Sequence, residues 1–340
     1  MIARLVANCT LVAMKNFWTE REAPILCLAP MADVTDAPFR EMIAKYGKPD
    51  VTWTEFVSAD GLYHTREIQK LPDDENPLMK DLLYTEGERP IVAQVFTSKP
   101  DMMEYVAKLV VELGYDGMDI NMGCPHKAIE KQGAGAAHMK EKEHAIELIR
   151  TAKKALDGRI PLSVKTRIGY NKDELREWLP MILKEQPAAV TIHARTRKEM
   201  SNVPARWEHV AEAVQIRDEL MGDKDIRIIG NGDVQSVEEG RQKCLETGAD
   251  GAMVGRGIFG KPWFFAETEP DIEERFRIMI EHCRLFEKYC SHKSFAVMKK
   301  HFKAYVTGFK GSKELRIALF ATNSVDEVEE LVQNYLKSRV

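Results

Sequence analysis

The chain has 340 residues, of which 44% are hydrophobic and 30% are charged, as expected for a globular protein with a large and a smaller domain. Its 49 basic and 53 acidic residues give a net charge of −4, which excludes a basic surface spread over the whole molecule and leaves room only for a local one. Six cysteines without a C-x-x-C pair argue against a disulfide framework and favour a reducing cytoplasm. Because no apolar run reaches transmembrane length, we expect no membrane association.

The N-terminal segment, residues 1–20, precedes the first predicted strand. Its apolar part resembles a signal peptide only weakly, because no small-residue cleavage site follows. Met14, followed by KNFWTERE, is an alternative start to Met1. We interpret residues 1–20 as an extension that contributes little to the fold.

Eight short apolar segments rich in β-forming residues recur along the rest of the chain. They are residues 25–31, 51–56, 91–96, 117–123, 161–169, 188–195, 226–233 and 251–257. Most of them lack polar alternation, as expected for parallel strands that are covered on both faces.

Amphipathic segments separate these strands. The first has Thr35 or Asp36 as its N-cap and Gly47 at its end, and a later one starts near Pro100 and ends at Gly114. A strand–helix unit repeated eight times predicts a (β/α)8 TIM barrel over residues 21–267. The alternative, a doubly wound sheet, would need a G-x-G-x-x-G turn after the first strand, and that motif is absent there. From residue 268 to 340 the pattern is helical only, which predicts a smaller C-terminal helical domain.

Unusual residues, most of them polar, follow strand after strand, at the end where barrels of this type carry their active sites. Alone, each could be a core polar group or a solvated loop residue. Their repetition at one end favours a common site. They are Pro30, Met31, Asp33, Gln94, Asp119, Asn121, Cys124, Lys165, Arg167, His193, Arg195, Asn231, Asp233, Gly255 and Arg256.

The last two strands end in NGD (231–233) and GRG (255–257), where barrels often bind phosphate through backbone N–H groups. Arg256 adds a cation for that phosphate. The alternative interpretation is that both segments are ordinary glycine turns without a ligand. Lys165 would need an anion, which the pyrimidine ring of a reduced flavin supplies. With Gln94 and His193 as partners for ring edges, the set suits flavin mononucleotide (FMN) better than a sugar phosphate.

The cysteines pose a choice between packing and chemistry. Cys124 lies in the segment DINMGCP (119–125), between a glycine and a proline, and a free cysteine elsewhere would be read as a small buried hydrophobe. Cys283 and Cys290 lie near two histidines, but the spacing matches no standard zinc pattern. We therefore predict helix packing for this pair and no metal site.

The chain resembles the tRNA-dihydrouridine synthases from about residue 25 to 335. The resemblance is carried by LAPMADVTDAPFR, QVF, DINMGCP with the following GAGAA, VKTRIGY, TIHARTR, IIGNGD, GAMVGRGIFGKPW and MKKHFKAYVTGFKGSKELR. It implies a flavin-dependent reduction of the C5=C6 bond of specific uridines in tRNA, with NADPH reducing the bound FMN.

The resemblance also implies roles for individual residues. Cys124 corresponds to the proton donor, and Asn121 and Arg167 fall where the family contacts uracil. The residues that correspond to the FMN-binding set are Pro30, Met31, Ala32, Gln94, Lys165, His193, Asn231, Gly232, Asp233, Gly255 and Arg256.

The reaction explains the setting of Cys124. Hydride addition at C6 leaves enolate charge toward C5, and a thiol with a reference pKa of about 8.5 is protonated near neutrality and can donate to C5. Gly123 permits a sharp exit from the strand, and Pro125 stiffens the loop that aims the sulfur.

The helical domain is the expected tRNA handle. Residues 284–316 contain nine basic and two acidic residues, in a chain that is acidic overall. We predict phosphate contacts from Lys299, Lys300 and Lys303, whereas a solvated helix face with core aromatic residues at Phe302 and Tyr305 is the alternative. We expect a monomer with no stable protein partner.

Two departures from the family pattern leave the subfamily and the tRNA position open: Arg206 in SNVPARW, where an acidic residue is usual, and His138 in GAGAAHM. We expect both to lie in loops near the substrate. Three other functions stay open at this point. They are an FMN barrel that reduces a free pyrimidine or another small conjugated carbonyl, an RNA-binding protein without catalysis, and a flavin-free isomerase with Glu55 or Asp119 as base.

Overall fold

The computed structural model describes residues 16–222, 225–266 and 268–338. Within these residues eight strands form one parallel sheet in the order β1-β8-β7-β6-β5-β4-β3-β2. The strands are β1 (Ile25–Leu28), β2 (Thr52–Ser58), β3 (Ile91–Phe96), β4 (Gly117–Met122), β5 (Leu162–Arg167), β6 (Ala189–His193), β7 (Arg227–Asn231) and β8 (Gly251–Val254). A parallel bridge from Cys27 to Val51 joins β1 to the start of β2 and closes the ring. The predicted (β/α)8 barrel is confirmed.

Helices cover the barrel and then continue as a separate group. The barrel helices are α1 (Ala37–Tyr46), α2 (Ala59–Tyr63), α3 (Pro77–Asp81), α4 (Pro100–Glu112), α5 (Lys127–Glu130), α6 (Lys142–Leu156), α7 (Leu175–Lys184), α8 (Glu208–Met221) and α9 (Val237–Thr247). The C-terminal helices are α10 (Ile272–Tyr289), α11 (Lys299–Tyr305), α12 (Ser312–Leu319) and α13 (Val325–Lys337). Short 3-10 or π turns lie at His64–Ile68, Glu86–Glu88, Gly135–Met139, Arg256–Ile258, Phe264–Ala266 and Phe295–Met298.

Local sequence explains most element boundaries. Every residue of β3 and β4 is buried, which is why these strands consist mostly of apolar residues, with Gln94, Asp119 and Asn121 as the exceptions. Asp36 caps α1 by accepting the N–H of Phe39, as predicted. α4 begins at Pro100. Proline is tolerated there because N–H groups in the first turn of a helix have no acceptor within the helix.

Two aromatic residues cover the N-terminal end of the barrel interior. Phe17 and Trp18 are buried, and the Trp18 ring lies 5.6 Å from the Trp53 ring between their centroids. They share a buried cluster with the first inward-facing residues of several strands. This part of segment 1–20 therefore belongs to the barrel, in contrast to our interpretation of an extension with little role. Met1 and Met14, the two start residues considered, lie outside the described residues.

The C-terminal helices have a buried core of their own, which includes Phe276, Met279, Phe286, Phe302 and Leu319. Met42 of α1 and Trp263 complete this core from the barrel side. Glu281 of α10 also pairs with Lys45 of α1 at 2.5 Å and accepts from Tyr46 at 2.6 Å. The helical region is thus seated on α1, the helix that follows the first strand.

The cysteines of the described residues are all unpaired, and Cys9 lies outside that part of the chain. Cys283 and Cys290 are buried in the helical core, as the packing interpretation predicted. Across the described ranges, no helix combines the length and the apolar character needed to cross a bilayer.

Candidate active site

A pocket of about 310 Å³ lies at the carboxyl ends of the strands and collects most of the predicted site. Cys124, Asn121 and Arg167 line it. Ten of the eleven residues predicted to hold the cofactor line it as well: Pro30, Met31, Gln94, Lys165, His193, Asn231, Gly232, Asp233, Gly255 and Arg256. Ala32 is the exception, because it is exposed and outside the lining. Topology explains the convergence, since parallel strands bring their carboxyl ends to one rim.

The loop that carries Cys124 is fixed by hydrogen bonds on both sides. The Oδ1 atom of Asn121 accepts the backbone N–H of Cys124 at 2.9 Å and that of Gly123 at 3.2 Å. The carbonyl of Cys124 accepts the N–H of Ala136 at 2.9 Å. Gly135 allows this contact, because its φ is +62° and a Cβ there would lie 2.7 Å from the Cys124 carbonyl oxygen. The GAGAA segment is therefore the platform of the cysteine loop.

The Cys124 thiol is suited to act as an acid. Burial raises its pKa above the usual cysteine value. The N–H of His126 and the Arg167 cation act in the opposite direction and would favour a thiolate once it forms. The side chain is thus protonated at neutral pH and has groups nearby that accept its charge after proton loss.

A chain of side-chain hydrogen bonds beneath the pocket determines how two amides are oriented. Gln94 Nε2 donates to Asp119 Oδ2 at 2.6 Å, and Ser163 donates to Asp119 Oδ1 at 2.6 Å. Gln94 Oε1 then accepts from Nδ2 of Asn121 at 3.1 Å, which leaves Oδ1 of Asn121 for the Cys124 N–H. Burial raises the pKa of Asp119 to about 6, so the carboxylate is charged and only accepts at neutral pH.

Lys165 on β5 carries a cation into the pocket. Its Nζ donates to Oδ1 of Asn231 at 2.9 Å, and Nδ2 of Asn231 donates to the carbonyl of Met253 at 2.8 Å. Burial, followed by repulsion from Arg167, lowers the pKa of Lys165 to about 8. Among the described residues its ammonium group makes this one hydrogen bond, so two N–H groups remain for an anionic ligand.

Arg167 holds two loops at the pocket. Its Nε donates to the carbonyl of Gly123 at 2.8 Å, and its Nη1 donates to the carbonyls of Thr196 and Met200, both at 3.1 Å. Burial lowers its pKa to about 10, so it stays charged at neutral pH. Arg167 was predicted as a uracil contact, and it lines the pocket with most of its donors already bonded to backbone.

Arg195 has a larger part in the site than the sequence indicated, since we placed it at a strand end without a role. Its Nε donates to the carbonyl of Val203 at 2.6 Å, and its Nη2 donates to Asp233 Oδ2. Arg256 donates to the other oxygen of Asp233 at 3.0 Å. Arg195 is the main reason that the pKa of Asp233 is lowered. Asp233 therefore positions two cations at the end of the pocket formed by β7 and β8.

His193 is neutral, because burial and then the surrounding cations, Arg167 first among them, lower its pKa well below the usual value. Its Nε2 lies 3.2 Å from Nη1 of Arg195. A guanidinium can only donate, so Nε2 accepts and Nδ1 carries the ring proton. His193 thus offers one N–H donor to a ligand.

The phosphate-type turn after β7 has an unusual backbone and an aromatic support. Gly232 has a φ of +129° and Asp233 a φ of +53°, both in the left-handed region. Trp207 donates from its indole to the Gly232 carbonyl at 2.8 Å. The same ring fills the space beside Gly230, where a Cβ would lie 2.2 Å from it. Trp207 therefore supports the turn on one side, while Gly232 and Asp233 line the pocket.

The residues present fit an FMN-type ligand. The side chains of Lys165, Arg167, Arg195 and Arg256 outnumber the carboxylates of Asp119 and Asp233 in and below the pocket. This cation excess, two free ammonium donors and a glycine-containing turn match the anionic phosphate and polar ring edges of a flavin nucleotide. Phe56, Ser201 and Gln235 also line the pocket, and no local sequence signal distinguished them.

The three lysines predicted for tRNA lie outside the pocket lining, on α11. Lys303 is exposed and Lys299 is half-buried. Lys300 donates from Nζ to the carbonyl of Asp33 at 2.7 Å, so it has a partner within the chain. Phe302 and Tyr305 are fully buried, which confirms the core alternative for these two aromatic residues.

The two departures from the family pattern lie in different environments. His138 is fully buried and does not line the pocket, so the expectation that it borders the substrate is wrong for the pocket. Burial lowers its pKa to about 4, which keeps it neutral. Arg206 pairs with Glu199 at 2.9 Å within the loop that Arg167 and Arg195 hold. The charge at position 206 is thus compensated locally.

Comparison with known proteins assigns the chain to a family. A family model described as dihydrouridine synthase matches residues 27–340. The chain is 39% identical to the probable tRNA-dihydrouridine synthase 2 of Bacillus subtilis (strain 168) over 327 residues, which cover 94% of this chain and 97% of that protein. It is 36% identical to the probable tRNA-dihydrouridine synthase of Staphylococcus aureus (strain MRSA252), with 94% and 96% covered.

Solved structures support the barrel fold at low sequence identity. A 2-naphthoyl-CoA reductase superposes with a TM-score of 0.54 at 9% identity, covering 72% of this chain and 50% of that one. Histamine dehydrogenase from Rhizobium sp. 4-9 gives 0.51 at 12% identity, with 78% and 49% covered. Morphinone reductase gives 0.51 at 10% identity, with 74% and 88% covered. These structures support the barrel fold, whereas the family model and the relatives described above assign the family. The chain belongs to the dihydrouridine synthase family and is an oxidoreductase.

Proposed function

We propose that this pocket binds FMN and that the chain reduces the C5=C6 bond of uridines in tRNA to dihydrouridine, with Cys124 as the acid and NADPH as the source of electrons. One observation carries the proposal: the protonated, rigidly held thiol of Cys124 lines a cation-rich pocket at one rim of the barrel. The family assignment and the tRNA named in the relatives' descriptions point to the same reaction.

The pocket residues divide into those for the phosphate and those for the ring. Arg256 and the turns at Gly232 and Gly255 would hold the phosphate, with Asp233 keeping Arg256 in place. Lys165 would neutralise charge on the flavin pyrimidine ring, and His193 Nδ1 and Gln94 would bond its edges. Pro30 and Met31 would lie along the ring from the loop after β1. When bound, reduced FMN supplies the hydride for uracil C6.

Cys124 completes the reduction. Addition of hydride at C6 moves the π electrons of the C5=C6 bond toward C5 and O4, and transfer of the thiol proton to C5 yields dihydrouridine. Two electrons and two hydrogens are thereby added to uracil, and sulfur keeps the S–H electron pair as thiolate. The positive charge of Arg167 and the N–H of His126 stabilise that thiolate until solvent returns a proton.

The substrate side of the site is built from two regions. Asn121 and Arg167 line the pocket with Cys124, and we propose that they contact the uracil. We assign phosphate contacts to Lys299 and Lys303 of the helical domain, residues 268–340, whereas Lys300 is bonded to Asp33. A paired or stacked uridine must leave its stack to reach the pocket, at a cost of a few kcal/mol. We further propose that the protein works as a monomer in the cytoplasm.

The test is reduction of unmodified tRNA by the purified protein with NADPH, followed by mass spectrometry of the nucleosides. We expect dihydrouridine from the wild type and none from Cys124→Ala, which should still bind FMN. A yellow, NADPH-oxidising protein that forms no product on tRNA but reduces free uracil would favour the small-substrate alternative. A colourless protein that cannot be loaded with FMN would contradict the cofactor proposal.

A further inference from the structure

One lysine of the helical region is inserted among acidic residues of the barrel. Lys293 lies between α10 and α11, and its side chain is only 14% exposed. Its Nζ lies 2.9 Å from Glu55 Oε2, 2.9 Å from Asp81 Oδ1 and 3.7 Å from Asp33 Oδ1. Glu55 belongs to β2 and Asp81 to α3. The contact therefore joins the C-terminal helices to two barrel elements.

This cluster holds Asp33, in the loop between β1 and α1, from several directions. The backbone N–H of Asp33 donates to Oε1 of Glu55 at 2.5 Å. Its carbonyl accepts from Lys300 at 2.7 Å, so a second lysine of the helical region reaches the same residue. Asp33 has a φ of +55°, a conformation that a residue with a Cβ rarely adopts without outside support. The loop shape thus depends on these partners.

The loop matters because it ends in the pocket. Met31, two residues before Asp33, lines the pocket together with Pro30. Thr35 closes the turn on the other side, since its hydroxyl accepts the N–H of Met31 at 2.9 Å. A shift at Asp33 would therefore move residues that face the cofactor.

Charge balance makes Lys293 the decisive member of the cluster. Glu55 is 5% exposed, and its pKa is raised by burial and restrained chiefly by Lys293. Without the ammonium group, Glu55 and Asp81 would face each other, with Asp33 nearby, and no cation between them. Removing one partner of a buried ion pair costs far more stability than replacing both partners with apolar residues, because the remaining charge is left unpaired.

We propose that Lys293 is a positioning residue, which uses its ion pairs with Glu55 and Asp81 to hold the loop of Pro30, Met31 and Asp33 in the conformation that receives the cofactor. The helical region would then support the pocket as well as bind substrate. This inference rests on the proposed FMN site for its second readout, but its first readout needs no cofactor.

The experiment compares Lys293→Met with the wild type in two measurements. The first is hydrogen–deuterium exchange of residues 29–36 in the FMN-free protein, and the second is the FMN dissociation constant from quenching of flavin fluorescence. We expect exchange in this loop to become ~10-fold faster and FMN binding ~10-fold weaker. Lys293→Arg should restore both. Lys288→Met is the matched control, because Lys288 is exposed and bonds only to Tyr289 among the described residues.

The outcomes separate the inference from the proposed function. Unchanged exchange in residues 29–36, or an equal increase over the whole barrel, would overturn the positioning role. Faster loop exchange in a protein whose wild type does not bind FMN would support the role of Lys293 and contradict the FMN proposal instead. If Lys293→Met does not fold, Lys293→Met/Glu55→Gln removes the most buried of the unpaired carboxylates, and its loop should still exchange faster than that of the wild type.

Discussion

The side-chain oxygen of Asn121 accepts the backbone N–H of Cys124 at 2.9 Å, while the amide nitrogen of Asn121 donates to Gln94. Asn121 thus fixes the position of the Cys124 backbone and is itself oriented by Gln94. Asp119 determines the orientation of Gln94, because a carboxylate can only accept and therefore bonds to the NH₂ group of the Gln94 amide.

Asn121→Ala should therefore slow uracil reduction more than it weakens cofactor binding. It leaves the N–H groups of Gly123 and Cys124 without their acceptor, a loss of about 1–3 kcal/mol in the free energy that holds the turn. We expect the single-turnover rate on tRNA to fall at least ~10-fold with little change in FMN affinity. An unchanged rate in Asn121→Ala would show that the turn does not depend on this side chain.

Lys165 should make FMN affinity depend on pH. Its pKa of about 8 means that the ammonium is charged below that pH and neutral above it. If the flavin ring binds the charged form, affinity is constant below about pH 8 and falls up to about tenfold per unit above it. Fluorescence titrations from about pH 6 to pH 10 measure this, and Lys165→Met should bind weakly with no inflection near pH 8. An inflection that persists in Lys165→Met would assign the titration to another group.

Two buried histidines should make the fold sensitive to acid. His282 and His301 are fully buried with ring centroids 4.8 Å apart, and burial lowers the pKa of His282 to about 3 and that of His301 well below its usual value. A folded-state pKa below the unfolded value of about 6.5 means that the unfolded chain takes up protons first, so stability falls as pH drops below about 6.5.

Urea denaturation at pH 7 and pH 5 measures this loss, to which His282 should contribute about 2 kcal/mol at pH 5. His282→Phe keeps an aromatic ring against Phe39 and should lose less stability between the two pH values than the wild type. An equal loss in both proteins would mean that other groups cause the acid sensitivity.

The buried ion pair of Arg40 and Glu88 should be essential for stability. The pair is fully buried with Nε and Oε2 2.7 Å apart, and Arg40 also donates to the Thr35 carbonyl at 2.6 Å. Arg40→Met leaves a buried carboxylate alone and should lower the free energy of unfolding by about 3–5 kcal/mol in urea. Glu104→Gln, which breaks the exposed pair with Lys108, is the control and should leave stability unchanged. A small effect of Arg40→Met would show that Glu88 finds water or another partner.

Sequence patterns predicted the barrel well because each local signal agreed with the global fold. Strands such as β3 and β4 are buried on both faces and therefore consist mostly of apolar residues. Strand ends were less certain, since the predicted segment 161–169 forms a strand only over Leu162–Arg167. Trp18 was assigned to an extension because nothing in its neighbours reveals that it meets Trp53.

The site was predictable where topology alone brings residues together, as for Lys165 on β5 and Asn231 on β7, which lie at the same rim on either side of β6. It was not predictable where a side chain chooses between partners far apart in the sequence. Lys300 bonds to Asp33 and Lys293 to Glu55 across more than two hundred residues, and a count of basic residues cannot separate these from lysines that face solvent. Ala32 points to the same limit, since a motif position does not determine exposure.

The packing of Trp207 against Gly230 has a consequence for the history of this family. The indole occupies the volume that any side chain at position 230 would need, and it also bonds to the carbonyl of Gly232. Neither position can drift alone: a larger residue at 230 requires a smaller one at 207, and a smaller one at 207 removes the support of the turn. Homologues should therefore show these two positions changing as a correlated pair, and ancestral reconstructions should find both substitutions on the same branch.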